Sequence, residues 1–215
     1  MSEYLGSPRP VHEMVRPTII LEAPRLAQRL GIRLTIATET FQHTGSFKFR
    51  AAYSVAAQVP QRRIIAASSG NFGQALACAC RLLDKSCIIV MPNTSAQVKV
   101  EAVREYGGTV DLIDVTAKSR KARVQELAAE FPDAYVASAY DDPLVMEGNA
   151  TLGKELAAFD GGFDLVITPV GGGGLSSGII QGIRASGREL TVVGAEPLLA
   201  NDAAMRSMIK LPANL

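Results

Sequence analysis

An α/β fold on mainly parallel sheet is what this sequence predicts, and three observations carry the prediction. Short apolar runs alternate with helical patterns from one end of the 215-residue chain to the other. Several of those runs are solidly β-branched, as expected of strands buried on both faces. Glycines stand where the helical patterns stop, in the position of C-caps. Strand and helix in strict alternation favour a mainly parallel sheet.

Taken in order, Thr18–Leu21 reads as the first strand and Pro24–Leu30 as a helix ended by Gly31. A strand over Arg33–Thr38 precedes a helix over Ser46–Val59, and a strand over Arg63–Ala67 precedes a helix over Gly73–Leu83. The strand Cys87–Met91 leads to a helix over Ala96–Tyr106 that stops at Gly107-Gly108. The polar cluster Asn93-Thr94-Ser95, after Pro92, is expected to supply that helix with its N-cap. Val110–Asp114 and Ala134–Ala137 read as strands around a helix over Lys118–Phe131. The last third repeats the pattern: helix Pro143–Phe159, strand Leu165–Val170, helix Leu175–Ala185, strand Leu190–Ala195. No internal repeat and no low-complexity linker interrupts it.

Composition narrows the function classes. At 47% hydrophobic residues the chain suffices for one or two domains with a buried core. Lys and Arg total 22 against 21 Asp and Glu, so no basic stripe points to nucleic acid or a membrane surface. No apolar stretch approaches the roughly 20 residues of a membrane span, and the N-terminus lacks a signal-peptide core. The expectation is a cytoplasmic protein. Cys78, Cys80 and Cys87 make no CxxC, and His12 and His43 lie far from them in sequence, so they read as small buried hydrophobes. With two histidines in the chain, a hydrolase built on a histidine base is disfavoured.

Three segments carry chemistry. Lys48 lies in Thr44-Gly45-Ser46-Phe47-Lys48-Phe49-Arg50 at the head of a helix, where a solvated surface cation is the ordinary reading. Ser68-Ser69-Gly70-Asn71-Phe72-Gly73 follows a strand and opens a helix. Hydroxyls and unpaired N–H groups there favour an anion, and a plain N-cap is the alternative for Ser68 and Ser69. Gly171-Gly172-Gly173-Gly174 also joins strand to helix, so its backbone N–H groups can close on a phosphate. A flexible turn or a dinucleotide loop are its rivals, although the run does not complete G-x-G-x-x-G and Ile179 stands where a P-loop has lysine. Together the three propose an amine that forms a Schiff base, a loop for a small acid, and a phosphate cradle. That set suits pyridoxal 5'-phosphate.

TGSFKFR, SSGNFGQAL and PVGGGGLSSG, in that order, resemble the signature segments of the fold type II pyridoxal-phosphate enzymes. The chain is most similar to the serine/threonine dehydratase and serine racemase family, from about residue 17 to Leu215. The resemblance implies two open, mainly parallel twisted sheets flanked by helices, a tryptophan synthase β-like fold. It implies a small domain of residues 54–144 inserted into a large one of residues 1–53 and 145–215, with the cofactor between them. The family's large domain continues past the point matching Leu215, including the polar residue that faces the pyridine nitrogen, so the fold is expected to be incomplete at the C-terminus.

The resemblance also implies roles. Lys48 would carry the cofactor and remove the substrate's α-proton. Asn71 would contact the cofactor ring hydroxyl, and Gly171, Gly172, Gly173 and Gly174 would hold the phosphate. Ser68, Ser69, Gly70 and Asn71 would gather around the substrate carboxylate, with Ser69 as the base on the opposite face. Phe72 stands where a histidine is common. Glu196, Ala200 and Asp202 resemble the divalent-cation site of serine racemases, a Mg2+ or Ca2+ site by its oxygen ligands; two solvated surface acids are the alternative. Arg50 and Glu147 read as structural charges. The expected activity is a dehydratase and ammonia-lyase on L-threonine or L-serine in a homodimer. The alternatives are a racemase, a 3-hydroxy-aspartate dehydratase, or a shortened paralogue without turnover.

Overall fold

The computed structural model describes residues 8–199, and a boundary after Ala137 divides them into two compact units. In the first unit, α1 (Val11–Met14), a single turn, precedes β1 (Ile19–Glu22), α2 (Pro24–Leu30) and β2 (Thr35–Thr38). Gly31 closes α2 in the left-handed region at φ 66°. β1 and β2 pair antiparallel, Ile19 opposite Thr38 and Glu22 opposite Thr35.

The rest of this unit is a run of strand–helix repeats. It comprises α3 (Lys48–Gln58), β3 (Arg63–Ala67), α4 (Asn71–Leu82), β4 (Ser86–Pro92), α5 (Gln97–Glu105), β5 (Thr109–Ile113), α6 (Arg120–Glu130) and β6 (Tyr135–Ala137). The four strands form one parallel sheet in the order β5-β4-β3-β6. Ile64, Ile65 and Ala66 of β3 and Ile89, Val90 and Met91 of β4 are fully buried, as central strands of a parallel sheet must be. Ile65, Val90 and Ile113 pack with Val124 and Leu127 of α6. Burying a side chain of this size contributes about 1.5–3 kcal/mol.

Two expectations are corrected. Asn93-Thr94-Ser95 does not cap α5: Ala96 holds the N-cap position and no side chain caps it. That cluster forms a turn instead, Ser95 N donating to Pro92 O at 3.0 Å, while Asn93 N donates to Ile113 O at 2.8 Å. The helix predicted from Ser46 begins at Lys48, because Thr44 and Gly45 take positive φ and the chain is not yet helical there.

The second unit holds α7 (Pro143–Ala158), β7 (Leu165–Pro169), α8 (Gly174–Ala185) and β8 (Thr191–Ala195). β7 and β8 pair in parallel, Leu165 beside Thr191 and Pro169 beside Ala195. The parallel sheets and flanking helices are the α/β fold that the sequence predicts, with the antiparallel pair β1-β2 added. Among the described residues no helix is long and apolar enough to cross a membrane.

Candidate active site

Lys48 is the first residue of α3, and its place is set by a buried clamp two residues on. Arg50 is fully buried and donates from Nε to Glu39 Oε2 at 2.7 Å and from Nη2 to Glu39 Oε1 at 2.9 Å. The same Nη2 donates to the Arg16 carbonyl at 3.2 Å. A two-pronged guanidinium–carboxylate pair of this kind fixes orientation as well as distance. It ties the end of β2 to the start of α3, so the loop between them presents Lys48 in one geometry. The structural role expected for Arg50 is what the contacts show, and Glu147 lies exposed on α7.

The lysine head lies among rings. Its Nζ is 5.0 Å from the centroid of Phe47 and 5.9 Å from that of Phe72. Burial holds the Lys48 amine below the usual lysine range, because a desolvated ammonium is disfavoured. A larger neutral fraction is what a nucleophile or proton acceptor needs near neutral pH. In the loop before it, Thr44 Oγ1 and Ser46 Oγ are buried without a protein partner. Nearby His43 is also held low, first by burial and then by repulsion from Arg16.

The Phe72 contact brings the segment 68–72 up to Lys48 within the first unit. Ser68 is buried and its hydroxyl serves the loop itself, accepting from Gly73 N at 3.0 Å and Gly70 N at 3.3 Å. Ser69 and Asn71 are exposed, and they are the polar side chains this loop presents outward. Phe72, 2% exposed, is a core residue as well as a neighbour of Lys48.

The tetraglycine stands in the second unit, between β7 and α8. Gly173 is the N-cap of α8 in the left-handed region at φ 86°, a conformation that a side chain makes costly. Gly171 and Gly173 have open space where a Cβ would be, so that side of the loop is free to receive an anion. At Gly172 a Cβ would meet the Tyr140 ring at 2.2 Å, so this glycine is required by its tyrosine neighbour. Ser176 Oγ, in the first turn of α8, and Thr168 Oγ1, in β7, are buried without a protein partner. An uncapped helix N-terminus entered through open glycines is a backbone arrangement that suits a phosphate. Asn149, on α7, was not singled out by sequence, since one asparagine inside an amphipathic helix carries no distinguishing signal. It is fully buried, and its Nδ2 donates to Gly174 O at 3.1 Å.

Of the residues suggested for a cation, Ala200 and Asp202 lie outside the described residues, and Glu196 is half-buried after β8. Among the described residues no group of three or more His, Cys, Asp or Glu is placed to hold a metal. The three cysteines are free and buried, as their sequence context predicts.

Comparisons with known proteins give the family. Residues 11–212 match the family of pyridoxal-phosphate dependent enzymes. The chain is 36% identical over 189 residues to an L-threo-3-hydroxyaspartate ammonia-lyase of Pseudomonas sp, covering 86% of this chain and 59% of that protein. It is 34% identical over 201 residues to the biosynthetic L-threonine dehydratase of Escherichia coli, covering 91% of this chain and 39% of that one. Among solved structures, maize serine racemase superposes with a TM-score of 0.87 at 27% identity, covering 95% of this chain and 64% of that chain. The lysine that opens α3 and the glycine loop that opens α8 stand on a parallel α/β scaffold, and the match over residues 11–212 gives the class: the chain belongs to the pyridoxal-phosphate dependent enzyme family. It spans 59% and 62% of the length of two hydroxyaspartate ammonia-lyases that it matches.

Proposed function

We propose that this chain carries the cofactor-holding and proton-moving residues of an ammonia-lyase that removes water and then ammonia from L-threonine or L-serine. The observation that carries the reading is Lys48, whose amine is desolvated between Phe47 and Phe72 at the head of α3. Pyridoxal phosphate, when bound, supplies the electron sink for the bond broken at the substrate's α-carbon. Lys48 is the residue that would carry the cofactor, Asn71 would face the ring hydroxyl, and the Gly171–Gly174 loop would hold the phosphate. The Lys48 amine would be the base that takes the substrate's α-proton, its lowered pKa favouring the neutral form that can accept one. The outward polar groups of the 68–71 loop would receive the substrate carboxylate, Ser69 and Asn71 by side chain and Gly70 by its N–H. Ser68 contributes indirectly, by holding that loop.

Serine racemisation is the second reading, in which Ser69 would be the base on the opposite face; the exposure of Ser69 and the likeness to maize serine racemase support it. The hydroxyaspartate ammonia-lyase relatives make 3-hydroxyaspartate a third substrate to assay. The division into a small domain of residues 54–144 and a large one of 1–53 and 145–215, the homodimer, and a Mg2+ or Ca2+ ion on Glu196, Ala200 and Asp202 belong to this proposal on the strength of the sequence resemblance.

The test is direct. The chain is incubated with pyridoxal phosphate and L-threonine, L-serine or L-threo-3-hydroxyaspartate, and 2-oxo acid, ammonia and D-amino acid are measured. Equimolar 2-oxo acid and ammonia from threonine or serine support the lyase. D-serine without ammonia establishes the racemase instead, and release from hydroxyaspartate alone reassigns the substrate. In a lyase, Ser69→Ala retains elimination; in a racemase it abolishes inversion.

A further inference from the structure

A buried amide of α7 reaches the first peptide of α8. Asn149 lies on α7 among Val145, Leu152 and Leu156, all buried. Its Nδ2 donates to Gly174 O at 3.1 Å. Gly174 is the first residue of α8, and its carbonyl shares one planar peptide unit with the Leu175 N–H. Fixing the oxygen of that plane therefore fixes the N–H, one of the first-turn donors that have no partner inside the helix.

The bond exists because the two helices are unusually close. A Cβ at Gly178 would lie 2.5 Å from Asn149 Cβ and 2.6 Å from Met146 O, and one at Gly182 would lie 2.1 Å from Ala150 O. Glycine at both positions is what lets the short amide reach across. The arrangement carries a cost, since Asn149 Oδ1 is buried without a partner. A leucine of similar volume would leave nothing unsatisfied on α7. An amide kept at this position acts through what it holds, and it holds the helix end that carries the glycine loop.

We propose that Asn149 is a positioning residue for the phosphate of the cofactor: through Gly174 it orients the first-turn N–H groups of α8 that receive the anion. The proposal rests on the pyridoxal-phosphate reading above, and it concerns the aim of the donors rather than their identity.

Asn149→Leu and Asn149→Asp, made in the whole 215-residue chain, test it with ligands and without. Titration with pyridoxal phosphate and with pyridoxal separates phosphate recognition from ring recognition. Hydrogen exchange of the Ser177 amide, which donates to Gly173 O at 2.9 Å, reports the first turn of α8 in the absence of either. The expected result for Asn149→Leu is a melting temperature equal to or above that of the parent and Ser177 exchange at least tenfold faster. Its affinity for pyridoxal phosphate should be at least tenfold weaker, with pyridoxal affinity within twofold. Asn149→Asp, isosteric and without the amide donor, should show the same selective loss. Unchanged Ser177 exchange overturns the proposal, as does an unchanged ratio of the two affinities. A lowered melting temperature with equal loss of both ligands makes Asn149 merely structural. If the parent chain takes up no pyridoxal phosphate, the functional reading fails by itself; Ser177 exchange then still decides whether Asn149 holds the turn.

Discussion

The loop after β3 and the loop after β7 occupy the same place in a strand–loop–helix unit, yet they are made of opposite materials. The first is Ser68-Ser69-Gly70 leading into α4, and it satisfies its own helix end through the Ser68 hydroxyl, which accepts from Gly73 N. Its outward chemistry lies in side chains, Ser69 and Asn71. The second is Gly171-Gly172-Gly173 leading into α8, with no side-chain cap, so its outward chemistry is the backbone itself. The difference teaches which ligand group each suits. A capped loop with polar side chains can select among small acids, since side chains differ in reach and donor type. A bare glycine loop receives any phosphate, because N–H groups at a helix N-terminus respond to charge and size.

The largest expected effect tests the side-chain half. Lys48→Ala should leave no borohydride-stable adduct with pyridoxal phosphate and reduce turnover to background, as read by mass spectrometry and by ammonia release. An adduct of unchanged yield would show that another lysine carries the cofactor. The same position predicts a pH effect. In the unfolded chain this amine titrates near 10.4, and in the folded chain it titrates lower. Between the two values the unfolded state binds more protons, so stability attributable to Lys48 rises with pH across that window. Below it the buried ammonium is a standing cost, so Lys48→Met should melt above the parent at neutral pH and converge with it in alkali.

Next in size is the packing behind the glycine loop. Gly182→Ala places a methyl group 2.1 Å from Ala150 O, a backbone atom that cannot swing aside. The expected cost is about 1–3 kcal/mol or more in a denaturant titration. An unaltered midpoint would show that α7 and α8 separate easily.

Gly173→Val sharpens the contrast between the loops. At φ 86° a β-branched residue is strained by about 1–2 kcal/mol, and relief of that strain would turn the peptide groups proposed to face the anion. Pyridoxal phosphate should bind at least tenfold more weakly and pyridoxal equally well. Equal binding of both would reduce the loop to a simple turn.

The smallest effect belongs to the capped loop. Ser68→Ala removes the acceptor for Gly73 N and should cost about 0.5–2 kcal/mol of stability. Phosphate affinity should stay within twofold, because the proposed cradle lies in other residues. A tenfold loss of pyridoxal phosphate affinity would break the division of labour between the loops.

Much of this is legible in the sequence. Each predicted strand and helix is present, with ends shifted by about two residues at most. The three chemical segments stand at the strand–helix junctions where glycine and hydroxyl clusters place them. The misses share one cause. Ser95 looked like a cap because its type is right, but Asn93 N is engaged with Ile113 O on another strand, 20 residues away in sequence. Phe72 read only as a departure from a family pattern; its position beside Lys48 depends on the packing of α3 against α4. Asn149 carried no signal, since its partner Gly174 lies 25 residues further on.

By itself the sequence determined what local physics can encode: continuous β-branched runs, helical patterns, the glycines that end them, and a glycine run able to meet an anion. Tertiary structure alone decided the strand order β5-β4-β3-β6, the antiparallel pairing of β1 with β2, the desolvation of Lys48 and the reach of Asn149 to Gly174. Each of these depends on contacts between residues far apart in the chain. No local pattern specifies such a contact until the surrounding elements have packed.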